Sequence, residues 1–302
     1  MTHLQPLHQP PAKAMSRLLF LFLFALGCLL PAVVQAATAF EGVVIRTVED
    51  RNQLVVAPSM DADPEDHRTV HVGRGDRVIA RGGWQIRGEI VPYAGGERLQ
   101  RILPNKPEAL GVMNRLERQL QHDTLNRGSR VFRGVGEQAP RFAMWDQHGE
   151  LFLSESLRGS YSVINFIFTR CRMAEMCPAA TERMHRLQRM AKEAGVEDIK
   201  LVSITIDPAF DTPGIFTAYA MDREIDGSNF FFLSGPERMA ANLRAQLGVL
   251  AEPDEEEIVR HTLTTVLVDP SGRIIYRIPG SLWEPRVFLT QIERHRESNQ
   301  RN

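Results

Sequence analysis

Two cysteines, Cys171 and Cys177, stand with five residues between them in the stretch 162–181, SVINFIFTRCRMAEMCPAAT, and Pro178 follows the second directly. Such a pair can close a structural disulfide, cycle as a redox couple or hold a soft metal ion. Each option requires the sulfurs to meet. Cysteines six positions apart lie roughly 240° apart on an ideal helix, so one continuous helix cannot join them. Proline suits the first helical position, which makes Cys177 the expected N-cap of a helix reaching about residue 194. Residues 172–176 must then form a loop that folds Cys171 back toward Cys177. At a helix N-terminus Cys177 is expected to gain thiolate character, and Arg170 and Arg172 should act in the same direction.

The element ahead of the loop must deliver Cys171 to that helix. Residues 163–168, VINFIF, form an unbroken apolar run rich in β-branched and aromatic side chains. That pattern predicts a central strand buried on both faces.

The rest of the chain limits the choice between the three chemistries. It has 302 residues, 43% of them hydrophobic and 24% charged, with a net charge of −1. These values describe a globular protein of one large or two modest domains, without a nucleic-acid footprint. Lys13 and Arg17 precede an apolar run over 18–34, and Val34-Gln35-Ala36 has the small-x-small form of a cleavage site. Residues 1–36 therefore read as a secretory signal peptide or a single-span membrane anchor, with Pro31 favouring cleavage. Without that segment the net charge is −3, since it carries two basic residues and no acids. Cys28 lies inside the apolar run as a bystander, because Ala25-Leu26-Gly27-Cys28 matches a lipidation box poorly. Export, expected to the periplasm as a soluble or inner-membrane-anchored protein, leaves a single cysteine pair in an oxidising compartment. A disulfide closing so short a loop stabilises little, and a domain of this size needs no staple. A redox or metal pair is the better reading.

Before the pair lies a β-rich region over 40–104, the pattern of a small barrel or sandwich with OB-like turns, with strands expected at 41–46, 53–57, 69–72, 76–81 and 84–90. Met60, His67 and His71 could bind a metal there, although a histidine beside a valine in a strand is more often an ordinary packed residue. Residues 106–123 carry Leu110, Met113, Leu116 and Leu120 at helical spacing, a linker helix (105–130) whose apolar stripe docks the first region on the second.

From residue 131 onward strands alternate with helices. Strands are expected at 200–206, 230–233, 262–268 and 273–277, and helices at 213–223, 236–247 and 284–297. Thr212 or Asp211 is the expected cap of the first of these helices. This is an α/β domain with a mixed sheet flanked by helices, in the order of a thioredoxin-like fold.

Over residues 130–297 the chain resembles the SCO/SenC family of copper-handling proteins. The resemblance rests on Phe168-Thr169-Arg170-Cys171, on Cys177-Pro178, on Asp207-Pro208 followed by Asp211-Thr212-Pro213, and on His261 eight residues before Asp269 of the Asp-Pro-Ser-Gly turn. The opening Gly136, Ala139-Pro140, Phe142, Asp146 and Gly149 also fits. The resemblance implies that Cys171, Cys177 and His261 converge on one copper ion, Cu(I) or Cu(II). It also implies an exported chaperone that serves a copper-containing respiratory oxidase subunit. Two thiolates and an imidazole suit copper, and zinc takes the same ligands. One departure stands out: most of the family has three residues between the thiols, where this chain has five.

Around the pair, Met173 and Met176 could offer thioethers to Cu(I) or cover the site with apolar surface. Asp207 and Asp211 read as loop-shaping and capping residues, Met184 and Met190 as core, and His185 as an exposed helix residue. The alternative function is a thiol–disulfide oxidoreductase working through a Cys171–Cys177 disulfide. Thioredoxin-like reductases place a cis-proline opposite the cysteines, and that position falls at Leu263, which favours the chaperone. A peroxiredoxin would need a threonine at Phe168, one position before the actual Thr169.

Overall fold

The computed structural model describes residues 37–301, apart from Glu49 and residues 254–258. Residues 1–36, the expected signal peptide or anchor, lie outside the described residues, as does the acidic run 254–257. Among the described residues no helix is long and apolar enough to cross a membrane.

The first five strands are β1 (Thr38–Thr47), β2 (Gln53–Ala57), β3 (Arg68–His71), β4 (Gln85–Tyr93) and β5 (Gly96–Pro104). They close into a barrel in the order β1-β2-β3-β5-β4, with β3 and β5 parallel at His71 and Arg98. Val44, Val56, Val70, Ile86 and Leu99 are fully enclosed in its centre. Each such side chain contributes roughly 1.5–3 kcal/mol relative to exposure.

Between β3 and β4 the structure corrects the expected strand at 76–81. Helix α1 (Arg74–Ile79) occupies that place, with Gly73 as its N-cap. Asp76 sits at the third helical position and its carboxylate accepts the Gly73 backbone N–H. That bond satisfies an otherwise orphaned donor of the first turn.

Helix α2 (Pro107–Arg127) leaves the barrel and buries Ala109, Met113, Leu116 and Leu120 in the larger core of the chain. That core is built around a second sheet. A small hairpin of β6 (Ala143–Trp145) and β7 (Leu151–Leu153) leads into β8 (Tyr161–Ile167), every residue of which is buried. Next come α3 (Cys177–Glu193), β9 (Ile199–Thr205), α4 (Pro213–Met221), β10 (Phe230–Leu233) and α5 (Glu237–Leu247). A two-stranded ribbon of β11 (Ala251–Pro253) and β12 (Val259–His261) precedes β13 (Thr264–Val268), β14 (Ile274–Pro279) and α6 (Arg286–Arg301).

The sheet order is β10-β9-β8-β13-β14, with β8, β9 and β10 parallel and β13 antiparallel to β8. A strand at the centre of a sheet covered by helices needs apolar residues on both faces, which accounts for the unbroken run in β8. The result is a mixed α/β, thioredoxin-like fold preceded by a β-barrel.

Barrel and sheet meet at α1 and α4. The backbones of Gly75 and Gly214 pack directly together, and Arg74 donates to the Ala218 carbonyl at 3.2 Å and pairs with Asp222. A second contact places Lys106 against Glu150 at 2.7 Å.

Candidate metal and redox centre

β8 ends at Ile167, and a turn follows in which the Cys171 N–H reaches the Phe168 carbonyl at 3.3 Å. This turn is held from outside the loop. The fully buried Asp211 carboxylate accepts the backbone N–H of Thr169 at 3.3 Å, the Thr169 hydroxyl, and the Thr205 hydroxyl at 2.7 Å. Burial pushes the Asp211 carboxyl up to about 7, against the lowering effect of those donors. Asp211 is thus a clamp on the strand end that carries Cys171. Thr212 takes the N-cap position of α4, without a side-chain capping bond.

Arg170 is engaged elsewhere. Its guanidinium pairs with Asp207 at 2.6 Å and lies over the Phe210 ring at 4.4 Å. Asp207 in turn receives its own loop's support through the Thr205 hydroxyl, which accepts the Asp207 N–H at 2.8 Å.

The loop brings the two sulfurs together, as the spacing demanded. Met176 donates its N–H to the Met173 carbonyl at 3.0 Å, closing a turn over 173–176. The Ser281 hydroxyl donates to the Glu175 carbonyl and fixes the turn from across the domain. Met176 is the N-cap of α3 and Cys177 its first helical residue, so the helix starts one position earlier than expected. The Cys171 thiol lies 3.8 Å from the Met173 carbonyl and is half-buried. Cys177 is fully buried and hydrogen-bonded to Cys171, and the two are thiols rather than a disulfide.

That geometry corrects the expected thiolate character of Cys177. Its hydrogen bond with Cys171 and its burial push the thiol up, and the Phe168 backbone N–H offsets this only in part. The bond with Cys171, reinforced by burial, outweighs the helix N-terminus.

His261 ends the β12 ribbon, where it pairs in register with Ala251, and its imidazole lies outside the described side chains. The expected strand 262–268 is shortened accordingly. Thr262 closes the ribbon onto Leu250, donating at 2.8 Å, and the sheet strand begins only at Thr264. Among the described residues no three His, Cys, Asp or Glu side chains gather as a metal site. In the barrel, His71 lies 3.2 Å from the Gln53 amide nitrogen and packs on Tyr93, while Met60 is exposed. Met184 is buried as expected, and His185 is half-buried beside Arg189. Asp211 shapes a loop as expected, but the turn it clamps is that of Thr169, 42 positions away, which the sequence did not indicate.

Fold and site define a thioredoxin-like protein that presents a two-thiol loop at the end of its central strand. The SCO1/SenC family model matches residues 133–297, and the chain belongs to that family. It is 26% identical over 151 residues to the SCO1 protein homolog of Bacillus subtilis, covering 49% of this chain and 77% of that one. A SCO2-like protein of Rickettsia typhi is 30% identical, the match covering 44% of this chain and 66% of its own length. A SCO1/SenC family lipoprotein of Bacillus anthracis, solved by crystallography, aligns over 54% of this chain and 98% of its own, with 27% identity and a TM-score of 0.49.

Proposed function

We propose that this protein is an exported copper chaperone that holds one copper ion through Cys171, Cys177 and His261 and passes it to the copper-containing subunit of a respiratory cytochrome oxidase. The observation that carries this reading is the adjacency of Cys171 and Cys177 at the loop of a SCO1/SenC domain. The donor set fits the ion. Two soft sulfurs suit Cu(I), and an added imidazole allows Cu(II) as well. Three protein ligands leave coordination positions open, which a carrier needs if its cargo is to be taken by another protein. Binding releases the thiol protons to solvent, so copper replaces the hydrogen bond that joins the sulfurs. Family membership supports the choice of client, and the reading of residues 1–36 supports the exported location.

The competing reading, a thiol–disulfide oxidoreductase using Cys171 and Cys177 as its redox pair, draws on the same adjacency. Anaerobic competition with a chromophoric Cu(I) chelator separates them. The chaperone predicts one tightly held copper, lost in Cys171→Ser and Cys177→Ser and weakened in His261→Ala. No tight copper in the wild type, together with a readily reduced Cys171–Cys177 disulfide, would reverse the assignment.

A further inference from the structure

The loop between the thiols carries two more sulfurs, and the four are ordered by depth. Met173 is 52% exposed, Cys171 and Met176 are half-buried, and Cys177 is fully buried. The turn closed by the Met176 N–H on the Met173 carbonyl keeps the two methionines at its ends, with Cα atoms within about 7 Å. Because the Cys171 sulfur lies 3.8 Å from the Met173 carbonyl oxygen, it is no more than about 6 Å from the Met173 Cα. That is within reach of the flexible thioether side chain.

Met60 and Met221 are exposed as well, so what sets Met173 apart is exposure together with a place between the two thiols. Met173 lies outside the large core cluster, and leaving its apolar surface in water forfeits burial that the fold grants to Met184 and Met239. A thioether is soft and neutral, and selects Cu(I) over zinc.

We propose that Met173 and Met176 form a thioether landing site that receives Cu(I) from solvent or a donor and passes it inward to Cys171 and Cys177. The inference rests on the copper reading above. Copper remains Cu(I) throughout. A bond to a methionine sulfur breaks as a bond to a cysteine sulfur forms, and each cysteine releases its proton to solvent. The five-residue loop accommodates both methionines, so the long spacing between the thiols supplies the landing site.

The test uses the full chain labelled with selenomethionine and loaded anaerobically with Cu(I) from a chromophoric chelator complex. X-ray absorption at the copper edge then reports any selenium bound to the metal. Copper–selenium scattering is expected in labelled wild type frozen during the transfer, fades as the ion reaches the cysteines, and is lost in Met173→Leu/Met176→Leu, a change that preserves apolar volume. Transfer from the chelator, followed by stopped flow, should slow about tenfold in that variant while one copper is still bound at equilibrium. Copper taken up without selenium scattering at any time during the transfer, and at the wild-type rate in the double variant, would make the methionines a mere apolar cover. A wild type that takes up no Cu(I) at all would sink the copper reading itself, and this inference with it.

Discussion

Gly75 of the barrel and Gly214 of the thioredoxin-like domain are in backbone contact: a methyl group on Gly75 would lie 1.8 Å from the Gly214 carbonyl oxygen and 2.8 Å from the Ala218 nitrogen. Helices α1 and α4 therefore approach more closely than side chains permit. In an isolated helix, Gly75→Ala would gain about 1 kcal/mol from propensity. Here the obstacle is backbone, which no rotamer change relieves, and the expected outcome is a net loss of about 1–3 kcal/mol. Urea unfolding of the variant checks the sign. Stabilisation would show that the two helices are not packed this way.

Asp76 lies beside that contact. It is buried, and desolvation pushes its carboxyl up to about 7 despite the Gly73 N–H and the nearby Arg98. An acid whose folded value is raised binds its proton more readily in the folded state. Its effect on stability is most favourable below pH 4 and deteriorates as the pH rises toward 7. Asp76→Asn should flatten the fall in melting temperature across that window. The remaining slope should come from Asp211, which is raised to the same level, and from Asp146, which burial also raises. An unchanged profile in the variant would refute the assignment.

Asp211→Ala removes three accepted hydrogen bonds at once and leaves the Thr169 and Thr205 donors without their carboxylate. The expected destabilisation is about 2–3 kcal/mol, from buried donors left unsatisfied. Cu(I) affinity should drop alongside it, because the clamp holds the turn that carries Cys171. Chemical denaturation and chelator competition on the same variant measure both. Full affinity in a destabilised protein would separate the clamp from the site.

The thiols should differ sharply toward alkylating reagents. Cys171 is half-buried at the loop, whereas Cys177 is enclosed and its thiol is pushed up. Iodoacetamide should therefore label Cys171 first under native conditions, with Cys177 reacting only on unfolding. Mass spectrometry of timed digests gives the order directly, and equal rates would contradict the burial of Cys177.

Much of this arrangement was legible in the sequence because it is local. The run VINFIF announces a strand buried on both faces, and Pro178 announces the helix start behind Cys177. The stripe Met113, Leu116 and Leu120 likewise announces a docked helix. Failures occur where distant groups decide. Asp76-Arg77-Val78-Ile79-Ala80 resembles a strand, but the Asp76–Gly73 bond and the glycine contact with α4 make it a helix. β5 escaped notice because the polar Glu97, Arg98, Gln100 and Arg101 outnumber the buried Leu99 and Ile102 and break the apolar alternation of a strand. The Asp211–Thr169 clamp spans 42 positions, and the thiol behaviour of Cys177 depends on enclosure by the whole fold. No nearest-neighbour pattern contains either.

The buried stripe of α2 carries the folding unit beyond the region that matches the family. The family match begins at residue 133, after α2 has ended at Arg127. Yet Met113, Leu116 and Leu120 complete the core of the matched region, and Glu117 pairs with Arg238 of α5 at 2.8 Å. A fragment trimmed to the homologous boundary would shed one wall of its own interior and expose apolar surface on the opposite wall. The matched domain has a neighbouring helix inside its core, and the two are expected to unfold as one cooperative body.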